Sequence, residues 1–268
     1  MSIATMERTA RRYLGVADRL LPGRISGFYV VGSAALGAWR PGRSDIDFVA
    51  VVPGRLTDGE VRRLRALHVL GNTEALGRAV LRARPTIPET MNGVFVDAGD
   101  LGKPVTAIRP LASHSGPSFH HGRAFDVNPV TWKLLREGAI TLRGPAPEDL
   151  PLEPEPGRLR PWTLGQLRGH WRSLAVRTLS PRPPRKPLQP PERLALTYLL
   201  GPPRLHHTVA TGEILSKEEA GEYALDVFAP RWHDLVRDAL AHRRGDPVPA
   251  VSPRRVGEFM LEVIDDVD

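Results

Sequence analysis

Hydrophobic and polar positions in the first half of the chain follow two periods. Apolar residues at every third or fourth position are typical of helices, and short runs of branched apolar residues between turn residues are typical of strands. Thr57 with Glu60 three residues later has the spacing of a capping box, which predicts the start of a helix. On this basis helices are predicted over 3–21, 34–39, 57–68, 73–83 and 129–137, and strands over 26–31, 45–52 and 91–96.

The second half of the chain shows only the helical period. Helices are predicted over 163–179, 192–200, 205–211, 217–227, 230–244 and 253–266. The stretch 145–157 is rich in proline and glutamate and is typical of a connection between domains. The predicted fold class is therefore an α/β domain with a small mixed sheet and helices at residues 1–150, followed by an all-helical bundle domain at residues 151–268.

Composition narrows the classes of function. The chain is 41% hydrophobic and 25% charged, as globular proteins are. It has no cysteine, which excludes disulfides, thiolate metal sites and thiol nucleophiles. No apolar run reaches the roughly 18 residues that a membrane crossing requires. The N-terminus has no signal-peptide pattern, so we expect a cytoplasmic protein without a membrane partner.

The net charge of +7 is carried by 33 arginines and four lysines. Either GC-rich codon usage or affinity for phosphate accounts for this excess, because the guanidinium group pairs with phosphate in a bidentate manner. Residues 157–191 contain no acid. This tract is either a solvated helix surface with a stiff proline-rich loop, or a surface that faces a nucleotide or polyanion. Its basic residues are Arg158, Arg160, Arg168, Arg172, Arg177, Arg182, Arg185 and Lys186.

The candidate chemistry lies around the first two predicted strands. Asp45 and Asp47 occupy alternate strand positions and share a face, where two carboxylates favour a divalent cation such as Mg²⁺. Gly32-Ser33, at the end of the preceding strand, allows close backbone approach and offers N–H groups and a hydroxyl to phosphate. This combination predicts metal-dependent nucleotidyl transfer. The structural alternative is a solvated pair of aspartates.

The segment GSAALGAWRPGRSDIDF at 32–48 resembles the signature of the polymerase-β-like nucleotidyltransferase superfamily. With RLHHTVATGEILSKEEAGEYALD at 204–226, the chain resembles the aminoglycoside adenylyltransferases of the streptomycin/spectinomycin type. The resemblance implies an α/β nucleotidyltransferase domain and a helical domain that together enclose ATP and the acceptor. The residues to which it gives roles are Asp45 and Asp47 as Mg²⁺ ligands, Gly32, Ser33 and Ser44 at the triphosphate, and Arg204 and Lys217 on the ATP phosphates.

The residues themselves give an independent reason for Lys217. Thr211-Gly212 is predicted to close one helix and Ser216 to cap the next, which places Lys217 at a helix N-terminus, where phosphate binds readily. For Arg204 and Lys217 alike, the alternative is an exposed side chain without a ligand.

Two departures from the family are visible. The family supplies a Glu on the third strand as catalytic general base, and Asn92 stands at that catalytic position here. An amide neither accepts a proton at neutral pH nor acts as a charged metal ligand. Glu89, Asp97 and Asp100 are the nearby acids, but alternation places Asp97 on the opposite face from Asn92, and Glu89 requires a bulged strand. Transfer is then either slow or lost.

The second departure concerns the acceptor. In streptomycin-modifying members a Trp and an Asp grip the drug, whereas the corresponding loop here, 180–191, is basic, and Phe119-His120-His121-Gly122 stands where another Trp is expected. Basic groups facing a polycation weaken its binding. Four residues are candidate acidic wall residues or else solvated helix carboxylates: Glu192, Glu218, Glu219 and Glu222.

We therefore expect transfer of AMP from Mg-ATP to a hydroxyl of a small molecule, with release of pyrophosphate. An aminoglycoside or aminocyclitol antibiotic is the leading acceptor class, as in resistance enzymes, and it would enter beside 113–126 and 170–192. The protein is expected to be a monomer. Two alternatives stay open, which are an anionic sugar, a protein or RNA as acceptor, and a nucleotide-binding protein with weakened transfer.

Overall fold

The computed structural model describes residues 2–73, 75, 77, 89–179 and 191–267. The chain divides into two compact units, Met1–Pro156 and Gly157–Asp268. The division falls in the proline- and glutamate-rich stretch, six residues after the sequence-based boundary at 150. Of the helices within the described ranges, none combines the length and the apolar character needed to cross a membrane.

The first unit is a six-stranded mixed sheet with helices on both faces. Its order is β5-β4-β3-β2-β1-β6, in which β2 and β3 run parallel and the other neighbouring pairs are antiparallel. The strands are β1 Gly27–Val30, β2 Ile46–Val52, β3 Met91–Asp97, β4 Ala112–Ser115, β5 Ser118–His121 and β6 Ile140–Arg143. The helices are α1 Ser2–Leu20, α2 Gly32–Ala35, α3 Asp58–Gly71 and α4 Pro129–Gly138, with 3-10 turns at Ala98–Asp100, Val105–Ala107 and Pro147–Asp149.

Sequence patterns predicted the three central strands and missed the outer three. The missed strands β4, β5 and β6 have four residues each, and their sequences ASHS, SFHH and ITLR carry no continuous apolar run. The predicted helix over 73–83 falls mostly outside the described residues. The predicted helical turns over 34–39 begin two residues earlier, at Gly32, and end at Ala35.

Alternation along the strands gives each face of this sheet its own core. On one face, Phe48 of β2 packs against Tyr13 of α1, with 5.3 Å between ring centroids. On the other face, Val49 packs in a cluster with the fully buried Trp132 of α4. Asp47 lies two residues before Val49, so its side chain belongs to the α4 face.

The second unit contains helices and no strand within its described residues, as predicted. Its core includes the fully buried Phe259 and Met260. The helices are α5 Pro156–Gln166, a π-helical stretch Leu167–Trp171, α6 Arg172–Leu179, α7 Pro191–Leu199, α8 Gly201–Thr211, α9 Lys217–Val227, α10 His233–Arg244 and α11 Pro253–Asp265, with a 3-10 turn at Pro230–Trp232.

The helix predicted to begin at 163 begins at Pro156 instead. The sequence-based start was placed after Pro161, but this proline lies in the second turn of α5 and is accommodated there. Beyond α5, the π-helical stretch turns Trp171 toward α8. A Cβ atom at Gly201 would overlap the Trp171 ring, so residue 201 has to be a glycine.

His114 on β4 is a fully buried base in the first unit. The Tyr13 hydroxyl lies 2.6 Å from its Nδ1, and His68 lies 4.5 Å away between ring centroids. Burial, with a smaller contribution from the charge of His68, lowers the pKa of His114 to about 3. Because burial also raises the pKa of Tyr13, the phenol keeps its proton and donates a hydrogen bond to Nδ1.

The first unit is therefore expected to lose stability on mild acidification. Between the ordinary histidine pKa of about 6.5 and the folded value, only the unfolded chain binds the proton, so from pH 7 to pH 5 this one group removes about 2 kcal/mol of unfolding free energy. Denaturant titrations at both pH values test this. The variant His114→Gln is expected to show a smaller drop, and an equal drop in both proteins would contradict the assignment to His114.

Candidate functional site

The two predicted metal-binding carboxylates lie at one end of β2. The strand begins at Ile46, so Asp45 precedes it by one residue, and Asp47 is its second residue. Asp45 is exposed and Asp47 is partly buried. Their backbones are fixed by neighbours, because the Trp39 indole donates to the Asp45 carbonyl at 3.0 Å and the Val31 amide donates to the Asp47 carbonyl at 2.9 Å.

Gly32 lies directly against Asp47. Its φ of +62° is in the left-handed region, and a Cβ atom there would overlap Asp47 Oδ2 and lie 2.8 Å from Cγ. Glycine is therefore required at 32 for both its backbone conformation and the close approach. Ser33 follows in α2 and is partly exposed, and its hydroxyl has no hydrogen-bond partner among the described residues.

The turn before Asp45 is held from two sides. Ser44, only 6% exposed, accepts a hydrogen bond on Oγ from the Arg40 amide at 3.1 Å, which closes the turn from within. Glu89, just before β3, accepts from the Gly42 amide at 2.9 Å, and its own amide donates to the Ser44 carbonyl at 3.0 Å. Glu89 has a φ of +66°, which is unusual for a residue other than glycine.

Asn92 joins this group through the pairing of β2 and β3. It is the Cα partner of Asp47, and its Nδ2 donates to Asp45 Oδ2 at 3.0 Å. Its Oδ1 accepts from the Gly116 amide at 2.9 Å, in the turn between β4 and β5. The structure therefore brings Gly32, Asp45, Asp47 and Asn92 together at one end of the sheet.

The acids considered as replacements for a base at position 92 have other roles. Glu89 holds the turn at Gly42, as described above. Asp97 lies at the far end of strands β2 and β3 from Asn92, where it pairs with Val52. Its carboxylate accepts hydrogen bonds from the amides of Gly54 and Gly99. Asp100 pairs with Lys103 at 2.5 Å.

The two carboxylates fit a Mg²⁺ ion whose other ligands are water and substrate phosphate oxygens. Mg²⁺ takes one or two carboxylates from a protein and fills its other positions with water and substrate phosphates. Asp45 and Asp47 supply two such carboxylates. Over the described ranges, no group of three or more acids or histidines is arranged to hold a metal by itself.

The predicted phosphate-binding residues of the second unit lie on neighbouring helices. Arg204 is in the first turn of α8, Lys217 is the first residue of α9, and both are partly buried. Gly212 ends α8 with a φ of +80°, and Ser216 caps α9 in a capping box with Glu219. This confirms the local structure predicted around Lys217.

A buried histidine connects three segments of this unit, which are α8, α9 and the residue that follows α11. His206 is 6% exposed, and its Nδ1 lies 2.7 Å from the Tyr223 hydroxyl while Nε2 lies 2.9 Å from Asp266 Oδ2. Both ring nitrogens are thus engaged inside the unit. Sequence reasoning gave His206 no role, and its two partners are 17 and 60 residues away along the chain.

Two of the four candidate acidic wall residues have partners within their own unit. Glu218 pairs with Arg243 at 2.8 Å, and Glu219 belongs to the capping box of α9. Glu222 is exposed, and the side chain of Glu192 lies outside the description.

The described arginines of the basic tract and the histidine pair of β5 lie at the surface of their units. Arg172 pairs with Asp265, and His120 and His121 are exposed on the edge strand. The exposed arginines of the tract are Arg158, Arg160, Arg168 and Arg177, whereas Arg182, Arg185 and Lys186 fall outside the described residues.

Comparisons with known proteins identify a known domain in each half of the chain. Residues 11–80 match the family model of the nucleotidyltransferase domain, and residues 191–265 match that of the aminoglycoside adenylyltransferase C-terminal domain. No curated protein sequence matches the chain. The crystal structure of spectinomycin adenyltransferase AAD(9) from Enterococcus faecialis with ATP and spectinomycin matches 97% of this chain and 98% of its own, with a TM-score of 0.68 and 13% identity.

These matches confirm the predicted fold class and the family resemblance. The nucleotidyltransferase model covers the sheet residues that carry Asp45 and Asp47, and the C-terminal model covers α8 and α9. At 13% identity the similarity of the solved structure shows the fold alone.

The contact between Gly32 and Asp47 predicts that alanine substitution lowers activity at Gly32 much more than at Gly37. Gly32→Ala is expected to displace the Asp47 carboxylate and to lower Mg²⁺-dependent nucleotide turnover by about 100-fold, the usual cost of a misplacement of 1 Å. Gly37→Ala is the matched control, because Gly37 has a φ of +66° but open space around it. Equal turnover losses in the two variants would show that backbone strain, and not the carboxylate, is responsible.

Proposed function

We propose that this chain, a nucleotidyltransferase of the aminoglycoside adenylyltransferase type, transfers AMP from Mg-ATP to a hydroxyl of a small-molecule acceptor. The acceptor hydroxyl oxygen forms a bond to the α-phosphorus of ATP, the bond from that phosphorus to the oxygen bridging the α- and β-phosphates breaks, pyrophosphate leaves, and the hydroxyl proton passes to water. The observation that carries the proposal is the pair Asp45 and Asp47 at the start of β2, with the backbone of Gly32 packed on Asp47.

Each residue of the first unit has a distinct part in the proposal. Asp45 and Asp47 hold Mg²⁺, which when bound neutralises charge on the phosphates. The Gly32 amide and the Ser33 hydroxyl bind triphosphate oxygens, and Ser44 shapes the turn that carries Asp45. In the second unit Arg204 and Lys217 contact the phosphates as cations.

The amide of Asn92 lowers the rate of AMP transfer that we expect. General-base assistance typically accelerates a reaction by about 10²–10⁴-fold. Because the described start of β3 offers an amide in place of a carboxylate, the transfer is proposed to run without this contribution. The result is a slow enzyme.

The leading acceptor class is an aminoglycoside or aminocyclitol antibiotic, so the biological role is antibiotic modification in the cytoplasm by a monomeric enzyme. Support comes from the neighbour structure, which contains ATP and spectinomycin. The stretch 113–126 adds an exposed aromatic ring at Phe125 and a partly buried carboxylate at Asp126. An aromatic face and a carboxylate are the groups that bind cationic sugars.

An anionic acceptor is the second candidate. The observation that favours it is the set of exposed arginines on α5, α6 and the π-helical stretch, which suits a polyanion such as RNA. The same pyrophosphate assay distinguishes the two classes of acceptor.

The transfer is tested by measuring pyrophosphate release with Mg²⁺, each of four nucleoside triphosphates, and a panel of aminoglycosides and aminocyclitols. We expect release to require ATP and one drug of the panel. Asp47→Asn is expected to lower it by about 100-fold or more, since even residues that only support metal ligands cost 10–100-fold. Asp100→Asn, the same change at a carboxylate paired with Lys103, is expected to retain it.

Two outcomes would contradict this proposal, one for the acceptor class and one for nucleotidyl transfer itself. ATP binding without release for any drug would overturn the antibiotic acceptor and move the assay to RNA and anionic sugars. Absence of nucleotide binding would overturn nucleotidyl transfer itself.

Nucleotide binding should depend on the two cations of the second unit. Arg204→Ala and Lys217→Ala are each expected to weaken ATP binding about 10–100-fold, because a hydrogen bond to a charged group contributes about 1.5–3 kcal/mol. Isothermal titration calorimetry measures the change, with Arg237→Ala on the exposed side of α10 as control. Affinities in the two variants that equal the control would rule out the proposed phosphate contacts.

A further inference from the structure

The helices α1 and α3 pack against each other on one face of the sheet and run antiparallel. Arg24, just after α1, pairs with Glu60 in the first turn of α3. Gly71, at the end of α3, packs against the ring of Tyr13 near the middle of α1, because a Cβ atom at 71 would overlap that ring. The apolar stripe of each helix belongs to the core of the first unit. The opposite side of both helices therefore faces solvent.

Arginines occupy this solvent side. Arg8, Arg12 and Arg19 are separated by four and seven residues, which places them on one side of α1. Arg62 and Arg63 are exposed near the start of α3. At a rise of 1.5 Å per residue, the row on α1 extends over about 16 Å. The term basic face is used below for the exposed arginines of both helices, which are Arg8, Arg12, Arg19, Arg62 and Arg63.

The acids of α1 have partners away from this row. Glu7 pairs with Arg11 at 3.7 Å, and Asp18 pairs with Arg143 of β6 at 2.7 Å. The acids of α3 are confined to its first turn. A solvated protein surface ordinarily mixes charges of both signs, whereas a field of one sign attracts a partner of the opposite sign. The basic face thus has the charge distribution of a binding surface for a polyanion.

The polyanion that fits this face is a nucleic acid. A guanidinium group pairs with phosphate oxygens in a bidentate manner, and such contacts hold a protein on the backbone without reading sequence. Binding to an anionic membrane would need a broad apolar stripe beside the cations. On these two helices the exposed large apolar side chains are confined to the ends, at Ile3, Val69 and Leu70.

The spacing of the two helices favours duplex RNA over duplex DNA. Axes of packed helices are about 8–10 Å apart, so α1 and α3 present cations in two close rows. The major groove of A-form RNA is narrow, which brings the phosphates of its two strands close together. The major groove of B-DNA is about 12 Å wide and separates them further. Two close rows of cations are therefore suited to contacting both strands of an RNA duplex.

We propose that the basic face binds the phosphate backbone of duplex RNA, independently of its sequence. Both helices pack on the face of the sheet that carries Phe48, whereas Asp47 belongs to the α4 face. Bound RNA therefore leaves the candidate site open to nucleotide. The inference goes beyond the transfer reaction and does not depend on it.

Fluorescence anisotropy of the full chain with a labelled RNA duplex of about 16 base pairs tests the proposal. Titrations at several salt concentrations between about 50 and 200 mM give the dependence of the affinity on salt. We expect binding that weakens steeply as salt rises, because phosphate contacts release counterions. Saturating Mg-ATP is expected to leave the affinity for RNA unchanged.

Two double variants locate the contacts, Arg8→Ala with Arg19→Ala on α1, and Arg62→Ala with Arg63→Ala on α3. Each is expected to bind RNA about 10–100-fold more weakly at 0.1 M salt and to lower the salt slope by about one for each arginine removed. Arg158→Ala with Arg160→Ala is the matched control, since it removes the same charge from exposed positions of the second unit. It is expected to bind as the wild type does, and thermal melting verifies that each variant is folded.

Four results would overturn the inference. Absence of RNA binding at the lowest salt concentration would exclude the partner, and equal losses in the control and the two face variants would reduce the effect to net charge. Tighter binding to a DNA duplex of the same sequence, or to phosphatidylserine vesicles, would exclude RNA as the preferred partner. Displacement of RNA by Mg-ATP would place it at the candidate site. Pyrophosphate release is measured without RNA, so failure of this inference is distinguishable from failure of the proposed function.

Discussion

The position of the Asp45 and Asp47 carboxylates is the constraint on which the candidate site of the first unit depends. Two carboxylates separated by one residue are costly unless a counter-charge or hydrogen-bond donors stabilise them. Here Trp39 and Val31 fix the surrounding backbone, and the side chain of Asn92 donates a hydrogen bond to Asp45. In the proposed function a cation adds to this stabilisation, at the end of a strand whose following residues are buried.

The arrangement depends on contacts between distant parts of the chain. Glu89 and Gly42 are 47 residues apart, and so are Asn92 and Asp45. Both contacts join the start of β3 to the turn before β2, so the parallel pairing of these strands positions the carboxylates. The second unit contributes a different kind of chemistry, with cationic side chains on two helices that a buried histidine connects to the last turn of the chain.

Local features of this fold were predictable from the sequence, and contacts between distant segments were not. The capping box at Thr57–Glu60 and the N-cap at Ser216 each lie within one helical turn of sequence, so local patterns alone predicted them. Alternation also identified the face of Asn92. By contrast, β4, β5 and β6 are short polar strands that form only because a neighbour pairs with them. The role of Glu89 left no local signal, since it depends on a backbone amide far along the chain.

The π-helical stretch Leu167–Trp171 has a consequence for how this chain changes length in evolution. A π-turn holds one residue more than the α-helical turn it replaces, so it absorbs a single-residue insertion without rotating the helix that follows. Ala175, four residues after this stretch, is buried in the core. Loss of one residue here would restore a regular helix and withdraw the Trp171 ring from Gly201. Chain length at 167–171 and side-chain size at 201 are thus expected to covary among relatives.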